Sequence, residues 1–117
     1  MPERQFKTLL SCNNNDKYKI ALLLAKMGRP AYQYMVHSLI HENIWVRECM
    51  AQALGEVGDE NVIPHLIPLL KEDDEKIRFI VEATLWKIGS KKRFLYGKNM
   101  NYYSYSERWK QRIHHDD

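Results

Sequence analysis

The histidines offer the first chemistry that this chain could perform. His37 and His41 lie four residues apart, on one face of any helix that contains them, and Glu42 follows directly. Such an HxxxH pair can bind zinc if a third side chain completes the site. His65 is the only candidate at a comparable position, so a third ligand is not assured. We therefore expect ordinary, partly exposed histidines here, with no metal and no other cofactor.

A second group of candidates lies near the C-terminus, where cations alternate with aromatic rings. Residues 90–117 carry seven basic and three acidic side chains, a net charge of +4, whereas residues 1–89 carry −1. Cations can bind phosphates and aromatic rings can stack on bases, so this segment could bind nucleic acid. The residues that would do so are Lys91, Lys92, Arg93, Lys98, Arg108, Trp109, Lys110 and Arg112.

No arrangement typical of an enzyme stands out elsewhere. The chain has no Gly-rich phosphate loop, nucleophile elbow or catalytic carboxylate pair. The acidic run 72–75 fits a solvated helix N-terminus, where negative charge stabilises the helix. Cys12 and Cys49 lack CxxC spacing, which favours reduced thiols in an intracellular protein. We expect a protein without catalytic activity.

The composition is that of one globular domain. The chain has 117 residues, of which 28% are charged and 44% hydrophobic. It contains no run of about 18 apolar residues, as a membrane helix would need, and no apolar stretch that predicts a signal peptide. We expect a cytoplasmic protein without a membrane partner, either a monomer or a weak homodimer.

These residues must be positioned by elements that repeat with a period of about 31 residues. The matching pairs are Val46-Arg47 with Ile77-Arg78, Leu54 with Leu85, and Gly58 with Gly89. A weaker copy lies upstream, where Leu24 and Gly28 stand 30 residues before Leu54 and Gly58. A period in this range, filled with helical spacing, predicts a stack of helical hairpins.

Apolar spacing predicts where the helices lie. The predicted helices span residues 2–10, 17–27, 32–40, 44–57, 62–70, 74–88 and 106–114. Ile20, Leu23, Leu24 and Met27 form the apolar face of the helix 17–27, and Ile77, Ile80, Val81, Thr84, Leu85 and Ile88 that of the helix 74–88. Both Gly58 and Gly89 should end helices with positive φ. Pro64 and Pro68 predict a late helix start, a kink, or both.

The run from Val46 to Leu70 resembles a HEAT repeat of the short, PBS-lyase type. The matching pattern is Val-Arg, small residues, Ala-Leu-Gly-x-Val-Gly-Asp and then Ile-Pro-x-Leu. The resemblance covers about residues 16–90 and implies an all-α fold, an α/α superhelix (solenoid) of about two and a half hairpins. Its parts would be an N-terminal helix and turn (1–15), repeat 1 (16–42), repeat 2 (43–72), half of repeat 3 (73–90) and a basic, aromatic capping segment (91–117).

The resemblance implies a protein–protein interaction module or adaptor with no chemistry of its own. The partner-facing positions would be the outward ones on the second helix of each hairpin, namely Tyr34, Met35, His41, His65 and Lys71. A nucleic-acid-binding module is the alternative, and an accessory subunit of a lyase-like enzyme is third. Deoxyhypusine hydroxylase has similar repeats and binds iron through His-Glu pairs, but Arg47-Glu48 and Arg78-Phe79 stand at those places here.

Two further expectations concern contacts between elements. In the family, the Arg after Val or Ile typically meets an Asp of the turn between repeats, which would pair Arg78 with Asp73 or Asp74 and leave Arg47 with no clear partner. The apolar face of the helix 74–88 also needs a cover, because soluble monomers seldom expose large apolar patches. We expect residues 93–113 to supply it, whereas a cover from a second copy would make the protein a dimer.

Overall fold

The computed structural model describes residues 1–96, with side chains through Gly89, and every element in that part is helical. The α-helices are α1 (Pro2–Ser11), α2 (Asn14–Met27), α3 (Tyr32–Leu39), α4 (Ile44–Val57), α5 (Ile63–Leu66) and α6 (Glu75–Tyr96). Short 3₁₀ segments, Arg29–Ala31 and Glu60–Val62, lead into α3 and α5, and a third, Ile67–Lys71, follows α5.

The helices pack as hairpins around one core. α4 lies between α2 and α6, so the first helices of the hairpins form a row. α1 packs on α2, α3 packs on α4, and the 3₁₀ segment after α5 packs on α6. The core lies between these helices and includes Leu24, Met35, Met50, Leu54 and Leu66. The prediction of an all-α fold built from helical hairpins is therefore confirmed.

The repeat register predicted from the sequence holds in the core. Leu54 and Leu85 are both buried, as their equivalent positions require. All six side chains predicted to face inward from α6 are buried, from Ile77 to Ile88. α4 has the bounds predicted for it, and α2 begins three residues earlier than expected because the Asn13 side chain accepts a hydrogen bond from the Asp16 N–H at 3.1 Å.

The predicted apolar face of α2 is wrong at one position. Leu23 is exposed, whereas the buried side of the helix carries Ala21, Leu24, Ala25 and the charged Lys17. α2 packs against both α1 and α4, and small alanine side chains allow that close approach. Alanine gives only a weak apolar signal, which is why the larger Leu23 misled the assignment.

The prediction for Gly89 is also wrong. Within residues 1–96, only Gly28 and Gly58 have positive φ, at 74° and 69°. Gly89 lies inside α6, which continues to Tyr96. An Arg-Pro pair follows Gly28 and a capping Asp follows Gly58, but Gly89 is followed by Ser and three basic residues that can all extend a helix. A glycine alone therefore does not end the helix.

The two prolines act as predicted. The second hairpin begins its return with the 3₁₀ segment Glu60–Val62, and α5 lasts only from Ile63 to Leu66 before the chain passes into a 3₁₀ conformation. Pro68 has no N–H with which to bond the carbonyl of Pro64, so an α-helix is not favoured there. The late start and the interruption are both present.

Gly55 marks a close approach of two first helices. A Cβ added at this buried position would lie 2.8 Å from the Cβ of Lys87. The α4 and α6 backbones can lie this close because Gly55 has no side chain.

The predicted helix 106–114 and the predicted cover by residues 93–113 concern side chains and elements outside the described part of the chain.

The two positive-φ glycines should differ in their tolerance of substitution. Gly58 is in the left-handed helical region (φ 69°, ψ 31°), whereas Gly28 has φ 74° and ψ −143°, a region almost restricted to glycine. We expect Gly58→Ala to lower the unfolding free energy by about 1 kcal/mol and Gly28→Ala by about 1–3 kcal/mol. Urea denaturation measures both, and Gly58→Asn should lose less than Gly28→Asn. Equal losses for the two asparagine variants would contradict this assignment.

Candidate protein-interaction surface

Two arginines at equivalent repeat positions anchor the first helices to the preceding turns. Arg47 donates from Nη1 to the carbonyl oxygens of His41 and Glu42, at 2.6 and 3.1 Å. Arg78 repeats this geometry, with bonds of 2.6 and 2.9 Å to the carbonyls six and five residues before it. The expected partner of Arg78 was the carboxylate of Asp73 or Asp74, and its hydrogen bonds go to main-chain carbonyls instead, one of them that of Asp73. No clear partner was expected for Arg47. The carbonyls of a turn that follows a helix lie near the negative end of the helix dipole, which favours a cation there.

Lys17 is the third member of this series. It lies 30 residues before Arg47, and its Nζ donates to the carbonyl oxygens of Leu9 and Cys12 at 2.9 and 2.8 Å. These carbonyls belong to the C-terminal end of α1, so Lys17 caps that helix, whereas the arginines bind carbonyls of the turns before α4 and α6. Its side chain is only 2% exposed. The series holds each first helix in a fixed position relative to the preceding element.

The first helices expose the large apolar side chains of the described chain. Apart from Met1, these are 41–74% exposed and comprise Leu23 on α2, Ile44 and Trp45 on α4, and Phe79 and Trp86 on α6. We call these five exposed side chains of α2, α4 and α6 the outer face. None of the exposed large apolar side chains described lies on α3, α5 or their 3₁₀ segments. The sequence did not reveal this face, because Leu23 was predicted to be buried and the other four residues were assigned no role.

A groove runs into the outer face between the N-terminal turns of α4 and α6. Its volume is about 350 Å³. Apolar side chains supply part of the lining and charged side chains supply the rest. The lining residues are Ile44, Arg47, Glu48, Glu75, Lys76, Phe79 and Ile80. The groove can therefore hold an apolar group next to a charged one.

The hairpins, their period and the cation series are features of one repeat family. A family model of HEAT repeats matches residues 6–86. The chain belongs to the HEAT repeat family. No curated protein matches it. HEAT repeats generally mediate protein–protein interaction.

The structure removes one of the residues that were predicted to form a partner surface on the second helices. Met35 is 0% exposed, because it points into the core, and its assignment as an outward residue is wrong. Tyr34 is half-buried, with its ring centroid 5.3 Å from that of Phe6. His65 and Lys71 are exposed. The nucleic-acid candidates, from Lys91 to Arg112, lie outside the part whose side chains are described.

The histidines have local partners. His41 accepts a hydrogen bond on Nδ1 from the Asn43 N–H at 3.0 Å, which orders the turn before α4. The His65 ring lies 5.0 Å from the Tyr32 ring, and the His37 ring 6.4 Å from that of Phe6. Among the described residues, no three His, Cys, Asp or Glu side chains are grouped as metal ligands. None of the helices described is long and apolar enough to cross a membrane.

A buried tyrosine links the first hairpin to the second. Tyr32 donates its hydroxyl to Asp59 Oδ2 at 2.5 Å, and the other oxygen of Asp59 accepts the Asn61 N–H at 3.0 Å. Burial, followed by this hydrogen bond and the carboxylate charge, raises the pKa of Tyr32 to about 12. Asp59 thus caps the 3₁₀ segment before α5 and holds α3 at the same time. The sequence analysis did not predict the contact with Tyr32.

Tyr32 should make stability fall at high pH. Folded Tyr32 keeps its proton to about pH 12, whereas the unfolded chain loses it near pH 10.0. The unfolded state then binds fewer protons, so stabilisation that is complete below pH 10 is lost as the pH rises towards 12. We expect the unfolding free energy of wild type to exceed that of Tyr32→Phe by about 1–2 kcal/mol at pH 8. At pH 11 the advantage should shrink by about 1.4 kcal/mol, and a constant difference would contradict the assignment.

Proposed function

We propose that this HEAT repeat protein is a non-enzymatic interaction module that binds another protein through its outer face. The observation that carries the proposal is the exposure of Trp45, Phe79 and the other large apolar side chains on one row of helices. Exposed apolar surface often marks a binding site, and aromatic side chains supply much of the energy at protein interfaces. The family's general role supports the same function.

The proposal includes the solenoid arrangement of about two and a half hairpins and a cytoplasmic location. We place the partner surface on the first helices and not on the second helices that the sequence predicted. The remaining candidates on the second helices are Tyr34, His41, His65 and Lys71. The reason is physical: His41 and Tyr34 are occupied by contacts within the chain, whereas Phe79 is mostly solvent-exposed. Nucleic-acid binding and a role as an enzyme's accessory subunit gain no support from the described residues.

Co-purification from native extract with three forms of the full chain tests the partner surface. The outer-face variant carries Trp45→Ser and Phe79→Ser, and its matched control carries His65→Ala and Lys71→Ala on the second helices. All four side chains are exposed, but the His65 ring lies 5.0 Å from the Tyr32 ring, so the melting temperatures of both variants are measured first. We expect a protein that wild type and the control retain and that the outer-face variant loses by about tenfold or more, the change that 1.4 kcal/mol produces.

The identified partner is then purified and its affinity for the three forms measured. If only the second-helix control lost affinity, the partner would bind the second helices, as the sequence first predicted. Labelled single- and double-stranded nucleic acid at two salt concentrations provides the other comparison. Salt-dependent binding that is tighter than binding to any protein partner would overturn the proposal in favour of the nucleic-acid alternative.

A further inference from the structure

The groove between α4 and α6 has apolar and charged lining, and an acidic turn precedes α6 beside it. Ile44, Phe79 and Ile80 supply apolar lining, and Glu48 and Glu75 supply carboxylates. Ile44 and Phe79 are more than half exposed, so their surfaces are available to a binding group. An aromatic side chain would bury about 150–250 Å² in such a place.

Arg47 and Lys76 balance the charge of these two carboxylates within the lining itself. Arg47 is 8% exposed and its Nη1 is bonded to two carbonyl oxygens, so Lys76 is the more accessible of the two cations. Glu75 also follows three exposed acidic residues, 72–74, in the turn before α6. An occupant with an apolar side chain between cations would therefore complement the groove in both shape and charge.

The chain contains one segment of this kind within reach. In residues 105–113, Trp109 stands between Arg108 and Lys110, and Arg112 and Ile113 follow. Phe79 lies 17 residues before Tyr96, or about 26 Å back along the helix axis. The 13 residues from Tyr96 to Trp109 can span up to about 43 Å, so Trp109 can return to the groove.

We propose that this groove binds the chain's own residues 105–113, with Trp109 between Ile44 and Phe79. A tethered segment has an effective concentration in the millimolar range, so a contact too weak to hold a free peptide is populated within one chain. A partner that binds this part of the outer face must displace the segment. The inference shares a surface with the proposed function, but its test uses the isolated protein and needs no partner.

Paramagnetic relaxation in the full chain tests the contact. A spin label is attached at Gln111→Cys, which leaves Trp109 intact, in protein whose two native cysteines are replaced by serine. We expect the amide signals of residues 44–48 and 75–80 to lose most of their intensity, while those of Lys19 to Lys26 on α2 keep theirs. Phe79→Ser should restore the lost signals, whereas Leu23→Ser, a matched change at another exposed apolar residue, should not.

A second sample distinguishes binding within one chain from binding between two chains. It mixes spin-labelled protein of natural isotope abundance with isotope-enriched protein that has no spin label. Broadening at the groove that occurs only within one molecule supports the proposal. Equal broadening in the mixture would show that a second copy fills the groove, and full intensity at residues 44–48 and 75–80 would show that the segment does not bind there. Either result overturns the proposal and leaves the partner experiment to decide the function independently.

Discussion

Leu54→Ala and Leu85→Ala are each expected to lower the unfolding free energy by about 2–5 kcal/mol. Both side chains are buried at equivalent positions of successive first helices, Leu54 on α4 and Leu85 on α6. Truncation removes apolar contacts and leaves a cavity that the surrounding helices can fill only partly. Because a domain of this size has about 5–15 kcal/mol in total, either change could populate the unfolded state.

Urea denaturation followed by circular dichroism measures these losses. Leu23→Ala is the matched control, since Leu23 is on the outer face of α2, and its loss should be within about 0.5 kcal/mol. The two core variants should resemble each other more than either resembles the control. If Leu85→Ala behaved like Leu23→Ala, the equivalence of the second and third repeats would be refuted.

The period of about 31 residues was sufficient to predict the helical hairpins and their common core. It placed Leu54 and Leu85 inside, and it gave α4 its bounds. This worked because each first helix contributes the same buried stripe, so a sequence repeat reports a repeated packing environment. The cation series also followed the register, from Lys17 through Arg47 to Arg78, although its hydrogen-bond acceptors differ from those expected.

The three errors, at Leu23, Met35 and Gly89, have different physical causes. α2 contacts α1 on one side and α4 on another, so its buried stripe is broad and made partly of alanine, and the leucine pattern misplaces Leu23. Met35 was predicted to face outward, but it belongs to the buried side of α3 and is 0% exposed. A residue that packs into the core cannot also contact a partner. Gly89 was assigned by analogy with Gly58, but helix termination also depends on the residues that follow.

The groove could not be predicted from the sequence because it depends on the distance between two helices. Gly55 allows α4 and α6 to approach closely, and the groove opens toward their N-terminal turns. The sequence nevertheless contains a signal that could have found the outer face. Phe79 follows directly after the anchored Arg78, at a position outside the stripe that begins with Ile77, so a large ring there must face solvent or a partner.

Lys17→Met is expected to cost about 2–4 kcal/mol, although it replaces a buried charge by an apolar side chain of similar length. Burial of an ammonium group is costly, and removal of that cost favours the variant. The opposing effect is larger, because the carbonyls of Leu9 and Cys12 would lose two short hydrogen bonds from a charged donor and methionine cannot replace them. The Leu9 carbonyl would keep only the weak bond from Cys12 Sγ at 3.6 Å, and a poorly satisfied buried acceptor is destabilising by about 1–3 kcal/mol.

Lys19→Met on the same helix is the control, because Lys19 is exposed and its replacement should change stability by no more than about 0.5 kcal/mol. Hydrogen exchange adds a readout that packing alone would not give. The amides of α1 should exchange faster in Lys17→Met than in a core variant of equal global stability, because only the lysine variant loses the cap of that helix. A Lys17→Met protein as stable as Lys19→Met would show that desolvation outweighs the two hydrogen bonds, and that the cation series does not hold the first helices in place.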